Sequence, residues 1–131
     1  MVTSATTVVL SSKEMRSRKE IMHILSELRD PGVPMTLVEM GIIDEGNVHT
    51  EGERIRVHFR PSSPFCPMAL AIGVVIKYAL EEELDTRVEV RMVRGSHLQE
   101  YLVNELLEDR KRYLKALRRL KSSGFVARCW H

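Results

Sequence analysis

Apolar residues recur at helical spacing near the beginning of this chain. The sequence Ser11-Ser12-Lys13-Glu14 has the form of a capping box, with serine at the N-cap and glutamate three residues later. The helix that it opens carries one apolar face, formed by Ile21, Ile24, Leu25 and Leu28. We expect this helix to end at Asp30-Pro31-Gly32, because the residue before a proline is biased away from the helical conformation.

Alternating polar and apolar residues predict three strands. Arg54–Arg60 and Arg87–Val93 alternate with the two-residue period of a half-buried strand. Residues Ile42–Thr50 form a plausible strand as well, and the turn Glu51-Gly52 would join it to the next strand as a hairpin. The chain therefore carries a hairpin followed by one more distant strand.

Two further helices complete the predicted architecture. Residues Met68–Glu83 are apolar on nearly all sides, which is typical of a central, buried helix, and a long amphipathic helix follows from about His97 to Leu120. The order α-β-β-α-β-α predicts an α+β fold with a three-stranded mixed sheet and packed helices. We expect one domain over residues 11–121, with a flexible leader over 1–10 and a tail over 122–131.

The predicted topology gathers several reactive side chains. A strand, helix and strand in one sheet form a crossover unit whose strands run parallel, so both carboxyl ends lie along one edge. Cys66, His97 and Glu100 follow those strand ends directly. The first strand is antiparallel and begins at the same edge, which adds Glu39 and Asp44. Sheets of this kind tend to form their sites at such edges.

Cys66 is the strongest single candidate for chemistry. Pro67 suits the first position of a helix, which would make Cys66 the N-cap residue. The positive end of the helix dipole there favours the thiolate, which is the form that attacks electrophiles or binds metal. The alternative is a buried cysteine that only fills space, which is common for this residue type.

Composition excludes several classes of protein. Two cysteines far apart in sequence form no disulfide framework and no zinc knuckle, so we expect a reducing cytoplasm. No apolar run reaches the roughly 18–20 residues that span a bilayer, so no membrane partner is expected. The stretch from Arg110 to Arg128 is basic and contains no acidic residue. It could attract nucleic acid, but no base-reading motif accompanies it, so a solvated helix face with a loose tail is the favoured interpretation.

Three segments together resemble a known family. They are Asp30–Glu39 (Asp-Pro-x-x-Pro-x-Thr-Leu-Val-Glu), the cysteine loop Pro61–Ala69, and Gly95–Asn104 (Gly-Ser-His-x-x-Glu-x-x-Val-Asn). Their order and spacing are similar to those of the iron–sulfur cluster assembly domain family, which includes bacterial proteins of the SufT and PaaD type. The last segment is most similar to the cytosolic iron–sulfur assembly component 2 proteins.

The resemblance implies a function and a set of site residues. Members of the family deliver iron–sulfur clusters to apoproteins, and their reactive cysteine maps onto Cys66. The acidic motif maps onto Asp30 and Glu39, and the late motif onto His97, Glu100 and Asn104. The eukaryotic members typically have threonine and histidine in the cysteine loop where this chain has Ser63 and Phe65. That departure puts in doubt any zinc site that used the histidine.

Four functional hypotheses follow. The leading one is a non-enzymatic carrier in which Cys66, with His97 and Glu100 nearby, holds a transient iron–sulfur cluster, or zinc or iron. The supporting residues would be Asp30, Glu39, Asp44, Ser63 and Asn104. Apoprotein clients, other assembly proteins and a second copy of the chain are the expected partners. The second hypothesis is an adaptor that binds no cluster, and a thiol enzyme using Cys66 with His97 and a nucleic-acid-binding protein rank below it.

Overall fold

The computed structural model describes residues 18–130, in which one three-stranded mixed sheet packs with five helices. The strands are β1 (Val48–Glu51), β2 (Arg54–Phe59) and β3 (Glu89–Met92). The helices are α1 (18–26 within the described residues), α2 (Ala69–Leu84), α3 (Glu100–Glu108), α4 (Arg110–Ser122) and α5 (Phe125–Cys129). The α+β class and the sheet topology expected from sequence are confirmed. The predicted leader 1–10 and the capping box lie outside the described residues.

The sheet has the order β1-β2-β3. β1 and β2 are antiparallel, and Gly52 has a φ of 61°, a conformation that two-residue hairpin turns require. β2 and β3 are parallel, with Phe59 opposite Met92. The first strand is shorter than expected, because residues Glu45–Asn47 form a 3-10 turn and only Val48–Glu51 extend along the sheet.

α2 is the central helix, and a glycine allows its close approach to the sheet. A Cβ atom on Gly73 would lie 2.9 Å from Cζ of Phe59 and 3.0 Å from a methyl carbon of Leu107. Both of those side chains are fully buried. Any larger residue at this position would therefore have to displace the buried side chains of Phe59 and Leu107.

The long helix expected from His97 to Leu120 is two helices. α3 ends at Glu108 and α4 begins at Arg110, because Asp109 leaves the helical conformation with a ψ of 104°. Its carboxylate accepts hydrogen bonds from the backbone N–H groups of Lys111 and Arg112, so Asp109 is the N-cap of α4. The helix also starts later than predicted, at Glu100.

A fifth helix occupies part of the region expected to be a tail. The side chains of Phe125, Val126 and Cys129 in α5 are buried in the core. The carbonyl of Cys129 accepts a hydrogen bond of 2.8 Å from the backbone N–H of Arg29. Residues 122–130 therefore join the helical layer to the end of α1. None of the helices within residues 18–130 has the length and apolar character that crossing a membrane requires.

Candidate functional site

The carboxyl ends of β2 and β3 meet at one edge, as the topology predicted. The backbone N–H of Val93 donates to the carbonyl of Phe59 over 2.8 Å, so the two strands end side by side. The loop that contains Cys66 leaves β2 at this edge, and residues 94–99 leave β3 there. Two loops thus extend from one edge of the sheet, and each carries a residue expected in the site.

The loop before α2 is a series of tight turns rather than the start of a helix. The backbone N–H of Cys66 donates to the carbonyl of Ser63 at 3.1 Å, and the Ser63 hydroxyl accepts from the N–H of Phe65 at 3.1 Å. α2 begins at Ala69, and its N-cap is Met68. The expectation that Cys66 is the N-cap is therefore wrong, because Pro67 lies in a turn before the helix.

His97 fixes the cysteine loop against the loop after β3. Its Nε2 lies 2.9 Å from the carbonyl oxygen of Cys66, and its Nδ1 accepts from the backbone N–H of Gln99 at 3.0 Å. These bonds fit a neutral ring that carries its proton on Nε2. A second bond joins the loops, from the N–H of Leu98 to the carbonyl of Pro64 at 3.1 Å. His97 therefore touches the backbone of Cys66, and both of its ring nitrogens are already engaged.

The other residues from the late motif stabilise the same edge. Glu100 accepts a hydrogen bond of 2.6 Å from the backbone N–H of Gly95 and so holds the turn after β3. Asn104 is buried, and its side-chain oxygen accepts from the N–H of Met92 at 2.8 Å. Both residues position the loop that carries His97.

The earlier acidic residues make local bonds of their own. Glu39 and Thr36 form a reciprocal capping box, with backbone-to-side-chain distances of 3.2 and 3.1 Å. Asp30 accepts from the N–H of Gly32 at 2.8 Å. Asp44 precedes the 3-10 turn without capping it through its side chain. Among the described residues, none of these three carboxylates forms a hydrogen bond with Cys66.

The donor set around Cys66 is too small for a complete metal site within one chain. Across residues 18–130, no three or more His, Cys, Asp or Glu side chains are grouped so that they could hold one metal ion. Tetrahedral zinc needs four ligands, and cubane or rhombic clusters need several thiolates. Among the described residues, Cys66 can therefore supply at most one thiolate ligand to such a site.

The second cysteine is in a different environment. Cys129 is buried, and burial, followed by the neighbouring charge of Asp30, raises the pKa of its thiol to about 11. It is therefore protonated and shielded near neutral pH. Cys66 is only half-buried, which makes it the accessible thiol of the described residues.

Apolar side chains surround the thiol on the surface. A cleft of about 250 Å³ is lined by Cys66, Pro67, Leu70 and Val103, together with Phe65 and Leu98. The last two are 73% and 72% exposed, and Met68, Tyr101 and Leu102 nearby in sequence are exposed as well. We call these five residues (Phe65, Met68, Leu98, Tyr101 and Leu102) the apolar patch. The amphipathic helix predicted from about His97 to Leu120 includes Leu98, Tyr101 and Leu102, and its periodicity did not indicate that these side chains would be exposed.

Comparison with known proteins finds a matching family model and several related sequences. A family model described as iron–sulfur cluster assembly protein matches residues 18–92. Protein AE7-like 1 of Arabidopsis thaliana is 32% identical over 84% of this chain and 74% of its own length. The cytosolic iron-sulfur assembly component 2B of Mus musculus is 30% identical over 85% and 71%, respectively. The protein of the same name from Dictyostelium discoideum is 36% identical over 76% and 63%.

Proposed function

The chain belongs to the iron–sulfur cluster assembly protein family, which gives it a role in iron–sulfur cluster assembly, and we propose that Cys66 transiently holds a cluster and passes it to apoproteins. The observation that carries this proposal is the placement of Cys66. It is a half-buried thiol in a loop that two interloop hydrogen bonds hold in place, and it opens on an apolar cleft.

The surroundings of Cys66 suit a labile ligand. Because one thiolate cannot complete a cluster site, the other ligands come from a second copy of the chain, a small thiol or the receiving protein. An incomplete site binds its cargo weakly, and the receiving protein's cysteines can replace the shared ligands. The apolar side chains beside the thiol exclude water where the two proteins meet. We place this activity in the cytoplasm, in line with the names of two of the relatives.

Anaerobic reconstitution with iron and sulfide tests the role of Cys66. We expect the wild-type chain to gain visible cluster absorption and the Cys66→Ala variant to gain none. Cys129→Ala is the matched control, because it removes the buried thiol and leaves the exposed edge unchanged. This control should reconstitute like the wild type. Equal absorption in Cys66→Ala and wild type, or none in either, would exclude Cys66 as the cluster ligand.

An adaptor that carries no cluster is the second candidate, and the apolar patch is the observation that favours it. Large exposed apolar side chains, of which Phe65 and Leu98 line one cleft, are typical of protein interaction sites. In that case Phe65→Ser would abolish binding to a partner assembly protein, while Cys66→Ala would bind the partner and support client maturation normally. A maturation defect in Cys66→Ala with intact partner binding would instead favour the carrier.

A thiol enzyme is less compatible with the geometry of His97. A general base must reach the sulfur whose proton it removes. Here Nε2 of His97 faces the carbonyl oxygen of Cys66, and Nδ1 is occupied by the N–H of Gln99. Our proposal is therefore a non-catalytic role for the pair, in which the histidine holds the loop and the cysteine binds cargo.

A further inference from the structure

A second surface depression lies between α2, α3 and α4. Its volume is about 420 Å³, and it shares only Leu70 with the cleft beside Cys66. Five side chains supply its apolar floor, namely Leu70, Ala71, Leu106, Ala116 and Leu120. We call this depression the α4 groove.

Basic side chains from α4 form one rim of the groove. Arg112, Lys115 and Arg119 line it at helical spacings of three and four residues, so they stand on one face of the helix. All three are exposed, and none forms an ion pair with another residue in the range 18–130. Their neighbours differ in this respect, since Arg110 pairs with Glu81, and the ammonium of Lys121 lies 4.3 Å from the ring centre of Tyr78.

The composition of the groove indicates the chemistry of its occupant. Three unpaired cations beside an aliphatic floor complement a segment that carries both carboxylates and apolar side chains. No aromatic side chain lines the groove, so it offers no stacking surface for nucleic acid bases. Between Arg112 and Arg119 the helix rises by about 10 Å, which matches two turns of a bound helix.

We propose that the α4 groove binds an acidic, amphipathic segment of a partner protein. Its apolar side chains pack on Leu106, Ala116 and Leu120, and its carboxylates pair with Arg112, Lys115 and Arg119. The groove and the Cys66 cleft lie side by side, so one partner can be held at α4 while a cluster is exchanged at the cysteine loop. Peptide binding at the α4 groove uses side chains other than Cys66, so it can be tested independently of cluster binding.

The groove is tested by selecting peptides from a displayed random library, with the full chain as bait. Each peptide is about 16 residues long, which corresponds to about four helical turns. We expect enriched peptides to combine Asp or Glu with Leu, Ile, Val or Met. Binding is then measured by fluorescence anisotropy with the enriched peptides. The double variant Arg112→Glu/Arg119→Glu should weaken binding by about tenfold or more. Leu106→Ser, which leaves the charge unchanged, should also weaken it.

The matched control is Lys111→Glu/Arg118→Glu. It makes the same change in net charge at two exposed positions of α4 that do not line the groove. We expect its affinity to stay within about twofold of the wild type. Equal weakening in both double variants, or enriched peptides without acidic residues, overturns the inference. So does tighter binding of a single-stranded oligonucleotide at the same rim. Circular dichroism confirms that each variant is folded. Each groove variant should also reconstitute a cluster like the wild type, which separates a loss of peptide binding at the groove from a loss of cluster binding at Cys66.

Discussion

Asn104 is a buried polar side chain that completes the hydrogen bonding of the sheet edge. β3 is an edge strand, and the N–H of Met92 points away from β2, where it would have no strand partner. The side-chain oxygen of Asn104 accepts that hydrogen at 2.8 Å. The residue therefore connects α3 to β3, the two elements between which the loop with His97 lies.

Replacing Asn104 by leucine should destabilise the fold. The variant leaves the N–H of Met92 buried without an acceptor, which costs about 1–3 kcal/mol of unfolding free energy. Urea denaturation measures the difference. Arg118→Leu is the control, because it places the same side chain at an exposed helical position and should change stability by less than about 0.5 kcal/mol. Equal stability of Asn104→Leu and the wild type would mean that water or a shifted backbone replaces the acceptor.

The two cysteines show how far single residues can be interpreted from sequence. The sequence predicted Cys66 as the reactive thiol from an expected position at the N-cap of the central helix, and the structure places it half-buried in the loop between β2 and α2. The expected N-cap position was wrong, since α2 begins at Ala69, three residues after Cys66. The burial of Cys129 could not be predicted, because it depends on α5 packing against the end of α1. Local patterns identify a residue's neighbours in sequence but not the distant surface that covers it.

Helix boundaries depend on caps that compete with a continuous apolar pattern. Apolar residues continue at helical spacing from Leu98 to Leu120, and this favoured one helix. Asp109 instead satisfies two free N–H groups at the start of α4, and the chain bends at that residue. The existence of the helical region was predictable from periodicity. The break depends on the stronger local bond that aspartate makes outside a helix than inside it.

Removing this cap should weaken α4. Asp109→Ala loses the hydrogen bonds to the N–H groups of Lys111 and Arg112, at a cost of about 1 kcal/mol. Asp109→Asn keeps an oxygen acceptor, so it should stay within about 0.5 kcal/mol of the wild type. Thermal or urea unfolding followed by circular dichroism distinguishes the two. A more stable Asp109→Ala would show that the sequence prefers the continuous helix.

His49 and His58 lie on one face of the sheet, and His58 should make the stability of the fold depend on pH. The two rings lie 5.6 Å apart, edge to face. Burial lowers the pKa of His58 from its ordinary value of 6.5, and His49, Arg56 and Arg91 lower it further, while Glu89 opposes the shift. Between that lowered pKa and 6.5 the unfolded chain binds more protons than the folded one. The contribution of His58 to stability is therefore complete above pH 6.5 and is lost as the pH falls towards the pKa of the folded state.

We expect His58→Gln to flatten this part of the stability profile. Urea midpoints measured on both sides of the ordinary pKa of 6.5 should differ less in the variant than in the wild type. His49→Gln should reduce the slope in part, because it removes one of the causes. An NMR titration of the His58 ring measures the pKa directly. A value at or above 6.5 in the folded protein would contradict the assigned surroundings.

At the scale of the whole molecule, the order of the strands and helices predicted the location of the candidate site better than the details of any single element did. A crossover between parallel strands places both carboxyl ends at one edge, and this alone brought Cys66 and His97 together. The apolar patch and the α4 groove could not be predicted in this way. They depend on which side chains remain uncovered after the helices pack, and the apolar pattern gives the same signal for a covered leucine as for the exposed Leu98.

Each chain has one accessible thiol, Cys66, so we expect cluster binding to be coupled to the association of two chains. The cluster proposed to bind at Cys66 would need further thiolates, and we expect a second copy of the chain to supply one. We expect the reconstituted wild type to elute from size exclusion with light scattering at twice the mass of the untreated chain. Removal of the cluster by a chelator should restore the smaller species. Cys66→Ala, treated in the same way, should not change in mass, whereas Cys129→Ala should behave like the wild type. A cluster-loaded wild type that stays at the mass of one chain would show that small thiols complete the site, because Cys66 contributes a single sulfur whichever molecule supplies the rest.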